Sequence, residues 1–433
     1  MNIVELVKNA GVVGAGGAGF PTHIKLSAKV ETVIANGAEC EPLLRVDQQM
    51  MDIYAERVVR GLQLAMESTG AKNGIIALKE KYQPAINALN KTISQFPNFP
   101  ISLFYLNNFY PAGDEFVLVY EVTGKILPES GIPLNVGIVV DNVVTLMNIA
   151  NAVDGQPVTD RPLTVCGAVK NPVTAFFPIG TSVAEVINFA GGTTTSDYTV
   201  LDGGPMMGTI ISEDTAITKK TSGILILPSD SEVVYQKSNR HAIKQSKSAC
   251  EQCQDCTEIC PRYLLGHTLE CHKIQRSTAC GLTENITQAF MCSECGLCDW
   301  VCPGKLLPRK INQTIKQKLI KDGQKNPYKK MPSEVHPMRE YRRVPLHRIL
   351  GRLDLIQYDK PAPFTDRAIE ISEIKIPLSQ HTGAPAEPVV KVGDKVKKGQ
   401  LIAEIPDGKL SANIHASIDG KIIGVSNFIK IER

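Results

Sequence analysis

The chain has 433 residues, 43% apolar and 21% charged, and its 47 Lys and Arg exceed its 44 Asp and Glu by three. That length spans about three ordinary domains, the composition excludes a disordered chain, and the near balance of charge excludes a nucleic-acid-binding field. No apolar run reaches the roughly 18–20 residues of a membrane helix. Met1 to Ala10 carries Glu5 and Lys8 and no leader-like cleavage site, so a cytoplasmic protein with reduced thiols is expected.

In chain order, the pattern predicts a helix over Ile3 to Asn9, then the glycine-rich string Gly14-Ala15-Gly16-Gly17-Ala18-Gly19. The string satisfies G-x-G-x-x-G, but a dinucleotide fingerprint follows a strand, and this one follows a helix. Two readings stay open: a backbone that donates N–H groups to a phosphate, or a loop without a ligand. Glu31 to Asn36 reads as a strand, and Asp47 to Ser68 as one helix with Met51, Tyr54, Val58, Leu62 and Ala65 on its apolar face. Ile75 to Leu78 and Ile101 to Tyr105 read as buried strands around a helix, Pro84 to Gln95. This alternation predicts an α/β domain with a mostly parallel sheet.

Beyond residue 160 the character changes. Pro162 to Val169 and Thr199 to Asp202 read as strands and Ser182 to Ala190 as a helix, ahead of the turn string Asp202 to Gly208. Ten of the twelve cysteines then fall between Cys250 and Cys302. Cys250, Cys253, Cys256 and Cys260 read C-x-x-C-x-x-C-x-x-x-C before Pro261; Cys292, Cys295, Cys298 and Cys302 repeat the pattern before Pro303. Bacterial two-cluster ferredoxins hold 4Fe–4S clusters with this spacing, the fourth cysteine of each run serving the other cluster. Cys250, Cys253 and Cys256 with Cys302 should therefore hold one cluster, and Cys292, Cys295 and Cys298 with Cys260 the other. The competing assignment is zinc, which has no use for the third cysteine of each run. Cys271 and Cys280 read as spare or buried thiols, and Cys40 and Cys166 as structural.

Residues 303–352 hold 14 Lys and Arg against 3 Asp and Glu, which suits either a solvated linker or a docking surface for an acidic partner. Residues 371–430 return to β structure, with PVVKVGDKVKKGQ at Pro388 to Gln400 and a D-G turn in Ile414 to Lys421.

Longer strings carry a family resemblance. Gly14 to Lys25, GAGGAGFPTHIK, resembles the flavin loop of the 51-kDa NADH-oxidising subunit family of respiratory complex I. Asn36 to Pro42 (NGAECEP), Tyr110-x-x-Gly113-Asp114-Glu115 and Val140-Asp141-Asn142-x-x-Thr145 match further segments of that family in order. The resemblance implies FMN with its phosphate at Gly14, Gly16, Gly17, Gly19 and Lys25. It implies Asn36, Glu39, Tyr110, Gly113, Asp114, Asn142 and Thr145 around the flavin, and Phe20, Glu41 and Glu115 on the nicotinamide side. Phe20 also fits a core aromatic behind the loop. Ala15, Ala38 and Cys40 stand where that family has arginine, aspartate and glycine. Residues 161–227 resemble an SLBB β-grasp module, read here as structural. Residues 381–421 resemble the RnfC version of a barrel-sandwich hybrid, in which Lys409 is not expected to carry lipoate.

The expected fold is multidomain α/β plus β. A Rossmann-like FMN- and NADH-binding domain (1–155) precedes an SLBB domain (160–230) and a helical two-cluster ferredoxin-like segment (240–325). A basic linker (326–368) and the barrel (369–433) follow. With the barrel last, the order resembles the corrinoid reductases of propanediol-utilisation microcompartments. That resemblance implies NADH as donor and FMN and two 4Fe–4S clusters as carriers. Cob(II)alamin would be the one-electron acceptor, a cobalamin adenosyltransferase and microcompartment proteins the partners. The alternatives are an RnfC-like member of a ferredoxin:NAD oxidoreductase complex and a scaffold with a decayed flavin site.

Overall fold

The computed structural model describes residues 2–97 and 99–433. Four parallel strands form the first sheet, in the order Ile101–Leu106, Asn73–Lys79, Thr32–Gly37, Ile138–Asn142. Val33, Ile34 and Ala35 are fully buried, as expected of a parallel strand covered on both faces. The chain runs outward from Thr32–Gly37 through two crossovers, then returns to lay Ile138–Asn142 on the other side. The order therefore reverses between those two strands, and ligands of open α/β sheets bind in the crevice at such a point, beyond the strand C-termini.

The helix expected over Asp47 to Ser68 is two helices, Val46–Ile53 and Ala55–Thr69. Tyr54 breaks them at φ −116°, ψ 33°. Its ring meets Phe176 and Phe364 edge-on, with centroids 5.7 and 6.0 Å away, so distant aromatics override a continuous helical pattern. Ala55–Thr69 lies against Val143–Val153 so closely that a Cβ on Gly61 would sit 1.9 Å from the Leu146 carbonyl oxygen. Only glycine allows that approach.

The next sheet has five strands, ordered Val173–Pro178, Asp160–Gly167, Gly223–Pro228, Tyr198–Asp202, Thr209–Ile211. Helix Val183–Phe189 packs on it, started by a reciprocal Ser182–Glu185 capping box. The carboxyl end is two small antiparallel sheets, four strands against three, with Ile374, Ile402, Ile422, Ile429 and Ile431 buried between them. This barrel docks on the glycine loop: the Thr382 N–H and hydroxyl donate to the carbonyls of Gly19 (3.0 Å) and Ala18 (2.8 Å). The basic stretch carries helix Pro308–Lys321 and returns to pair Val344–Pro345 with Phe109–Tyr110. Arg339 and Arg343 both meet Glu121, and Arg352 lies over the Trp300 ring. Among the described residues, no helix is long and apolar enough to cross a membrane.

Candidate flavin and iron-sulfur sites

The glycine loop leaves helix Ile3–Asn9 and is closed at its base by Gly14 N–H to the Phe20 carbonyl (2.9 Å). Two contacts hold it at the switch point. Ala15 N–H donates to the buried Thr145 hydroxyl (2.9 Å), and the Arg161 guanidinium donates to the Ala15 carbonyl (2.8 Å). Gly16, Gly17 and Ala18 are exposed, and among the described residues their N–H groups make no backbone hydrogen bond. A Cβ on Gly16 would press on the Asn142 side chain at 3.0 Å, whereas one on Gly17 would meet nothing within 4 Å. The loop thus presents free donors over an open cradle, which suits an anionic group. Phe20 is half-buried at the end of the loop.

Lys25 reaches the same crevice. Its ammonium donates to the Val140 carbonyl (2.8 Å) and lies 3.5 Å from Asp141 and 3.6 Å from Glu115. Burial alone would lower its pKa, but Asp141 and Glu115 hold it above the ordinary lysine value. Lys25 is therefore already counterbalanced, and the loop N–H groups are the uncommitted anion donors. Asp141, which the motif comparison left without a role, is buried, and neither of its oxygens accepts a hydrogen bond among the described residues. Burial pushes its pKa up, against the Lys25 charge. The Lys25 charge at 3.5 Å is what balances this buried carboxylate beside the cradle.

Asn36 and Asn142 frame the crevice from adjacent strands. Asn36 donates to the Gly113 carbonyl (2.9 Å); Asn142 donates to Asp47 (2.9 Å) and caps its helix through the Val144 N–H. Gly113 is packed tightly, a Cβ there lying 3.0 Å from the Cys40 sulfur. Glu39, at φ 41°, accepts from Gln48 N–H (3.0 Å), while its carbonyl accepts from the fully buried Lys79. Burial, then the Asp47 charge, raises the Glu39 pKa to about 8.

That shift gives a test. Between about pH 4.5 and 8 the folded chain keeps a proton that the unfolded chain has released, so this group's contribution to stability falls as pH rises across the window. Glu39→Gln removes the penalty. On flavin-free protein its thermal midpoint should match wild type at pH 5 and exceed it at pH 8, by at least about 1 kcal/mol of stability. Equal shifts at both pH values would show that Glu39 is ionised throughout.

Three residues assigned to the flavin or nicotinamide by motif point elsewhere. Both Glu41 oxygens accept N–H groups of the second domain, from Met206 (3.0 Å) and Met207 (2.8 Å). Asp114 caps helix Glu115–Thr123 and pairs with Arg262 of the cysteine-rich segment, whose guanidinium lies 3.8 Å from the Phe116 ring centroid. The buried Tyr110 hydroxyl donates to the Cys295 carbonyl (2.7 Å). Tyr110 thus joins the flavin crevice to the second cysteine run, Asp114 joins it to the segment that follows the first run, and Glu41 joins it to the second domain. Met206 tightens this junction, its carbonyl accepting from Arg309 (2.8 Å) and Lys237 (3.2 Å).

The two cysteine runs adopt one backbone shape. The residue two after the first cysteine is left-handed in both, Gln252 (φ 58°) and Glu294 (φ 60°), as is the residue four after it, Gln254 (φ 71°) and Gly296 (φ 85°). A short helix follows each time, Asp255–Glu258 and Leu297–Val301. Such turns aim backbone N–H groups inward, a geometry shared by many iron-sulfur sites; Glu294 N–H points at the Cys292 sulfur (3.4 Å).

Cys250, Cys253, Cys256 and Cys302 line one cavity of about 180 Å³ with His272 and Gln275. Cys292, Cys295 and Cys298 are buried with Cys260, each a close enough neighbour to disfavour the others' charge. Burial first, then neighbouring thiols, pushes Cys292 to about 12 and Cys256 and Cys295 well above the ordinary thiol value. Thiolates crowded this way need a polycationic centre to stay ionised. Among the described residues, no three Cys, His, Asp or Glu side chains converge tightly enough for a single metal ion. The four cysteines of the first set instead stand around an open space of about 180 Å³. Cys253 is exposed, whereas all four cysteines of the second set are buried. Cys271, expected to be a spare or buried thiol, is buried, and it lies against Cys260 and Cys298. No spacing rule would have found it.

Comparison with known proteins agrees with this architecture segment by segment. Residues 7–151 match the family described as Nuo51 FMN-binding domain, and 162–210 the SLBB domain. Residues 249–307 match the 4Fe-4S dicluster domain and 365–432 the RnfC barrel sandwich hybrid domain. The chain thus combines an FMN-binding domain with a two-cluster iron-sulfur domain. Among solved structures it is similar in fold to an NAD+-reducing [NiFe]-hydrogenase in the H2-reduced state, with TM-score 0.51 and 21% identity over 74% of this chain and 60% of that one. One component of a Na(+)-translocating ferredoxin:NAD(+) oxidoreductase complex from Acetobacterium woodii is 40% identical over 60% of this chain and 58% of its own. Two relatives named cobalamin reductase PduS match nearly end to end: 44% identity from Citrobacter freundii, over 96% of this chain and 93% of the relative, and 43% from Salmonella typhimurium, over 98% and 94%. Identity at that level across all four domains, barrel last, places this chain in the PduS cobalamin reductase family.

Proposed function

We propose that the protein takes electrons from NADH at the glycine-loop crevice and delivers them singly to cob(II)alamin. The observation that carries this reading is the junction at Tyr110, whose side chain joins the flavin domain to the Cys295 backbone. FMN supplies the two-electron to one-electron conversion and the clusters supply one-electron conduction. The chain's own residues bind, orient and insulate. Gly16, Gly17 and Ala18 would hold the FMN phosphate, with Gly14 and Gly19 shaping the loop, and Asn36, Glu39, Asn142 and Thr145 would fix the ring edge. Tyr110, Gly113 and Asp114 would set the spacing to the second cluster. Cys292, Cys295, Cys298 and Cys260 would hold that buried cluster, and Cys250, Cys253, Cys256 and Cys302 the one at the surface, where the acceptor docks.

Glu115 is exposed and paired with Lys25, and Phe20 is half-buried at the end of the loop; both suit a nicotinamide ring. Glu115→Gln keeps size and removes charge, so flavin should stay bound while NADH-dependent reduction slows about 10-fold, about 1.4 kcal/mol. Dithionite should reduce the clusters of this variant as in wild type. Wild-type NADH oxidation by both Glu115→Gln and Phe20→Ala would put the nicotinamide elsewhere.

The relatives' name and domain order favour a place beside an adenosyltransferase in a bacterial microcompartment. The decisive assay is anaerobic protein with NADH and cob(II)alamin, following cob(I)alamin absorbance. Fast cob(II)alamin reduction supports the reading. Turnover with ferredoxin and none with cob(II)alamin would favour membership of a ferredoxin:NAD oxidoreductase complex.

A further inference from the structure

The second cysteine set holds one thiol too many. A cubane takes four, and Cys260, Cys292, Cys295 and Cys298 supply them, yet Cys271 is buried within hydrogen-bonding reach of both Cys260 and Cys298. It does not arrive there by chance packing of a loop. Cys271 begins helix Cys271–Cys280, which packs on the short helix of the first run and on the turn Ile286–Met291 that leads into the second. His272 is fixed to Thr257 by two hydrogen bonds (2.8 and 3.1 Å), and Glu270 N–H is held by Gln288 (2.8 Å). His272 and Gln275 turn to the first cavity, leaving Cys271 for the second set. From the far side the fully buried Asn312 amide reaches the Cys271 sulfur (3.6 Å) and the Cys292 sulfur (3.7 Å) together. One donor thus bridges a proposed ligand and the extra cysteine, which places the two sulfurs on the same side of the site.

We propose that Cys271 is a reserve ligand of the buried 4Fe–4S site, able to take the corner otherwise held by Cys260. In the exchange one iron–sulfur bond to Cys260 breaks and one to Cys271 forms. The proton leaving Cys271 passes to the released Cys260 sulfur, which it already faces, and no electron moves. The consequence is a site that survives loss of either thiol. The surface cavity, whose lining includes four cysteines and no fifth, does not share that property. This inference rests on the two-cluster reading, and the wild-type iron content tests that reading separately.

The test is iron, acid-labile sulfide and EPR of the dithionite-reduced protein for Cys260→Ala, Cys271→Ala and the double variant, prepared anaerobically. Bound flavin and the surface cluster report on folding in each. Each single variant should keep about eight iron and the double variant about four. Loss of the buried cluster in either single variant, or its retention in the double, overturns the proposal. Should Cys260→Ala fail to fold, Cys271→Ala alone decides. Its buried-cluster EPR signal should differ from wild type, because a thiol touching two ligand sulfurs has gone; an unchanged spectrum places Cys271 outside the site and overturns the proposal.

Discussion

Gly17→Val is expected to fold normally, to keep both clusters and to bind no flavin. The added side chain starts from a position with nothing within 4 Å, so the folded chain loses little by packing. A bound phosphate, however, must approach these N–H groups to about 2.9 Å, and a β-branched side chain fills that approach. Flavin released on denaturation should fall from about one per chain to below a tenth, at least about 1.4 kcal/mol of binding. The neighbouring Gly16→Val is a poorer test, because its Cβ already presses on Asn142 and it would perturb the crevice itself. Full flavin occupancy in Gly17→Val would move the cofactor away from this loop.

Cys253→Ser is expected to halve the iron, from about eight to about four per chain, and to leave flavin in place. Cys253 is exposed and lines the surface cavity, so its loss opens one site without disturbing the buried set. NADH should still reduce the flavin and the buried cluster of this variant, but cob(II)alamin reduction should collapse, since the link to the surface is gone. Two zinc ions and no sulfide in anaerobically prepared wild type would end the iron-sulfur account altogether.

Much of this was legible in the sequence because it depends on local spacing. The cysteine runs and their prolines impose the same two left-handed turns twice. The glycine loop and the strand-helix alternation fix the parallel sheet and its switch point. What was not legible depends on residues far apart in the chain. Tyr54 sits in an unbroken helical pattern, and only Phe176 and Phe364 show why the helix breaks there. Glu41 matched a nicotinamide position by motif, but its oxygens are taken by N–H groups 165 and 166 residues away. The basic stretch read equally well as linker or docking surface, and three of its arginines, Arg339, Arg342 and Arg343, pair with Glu121 or Glu258. Asp141 and Cys271 acquire meaning only from the neighbours the fold gives them.

The relay itself is tested most directly by mixing anaerobic protein with NADH in a stopped-flow instrument and following flavin and cluster absorbance, with Gly17→Val beside wild type. The account predicts that wild-type flavin bleaches before the clusters do. In the variant, NADH should leave both clusters oxidised while dithionite reduces them fully. Clusters reduced by NADH at the wild-type rate in a flavin-free variant would contradict it.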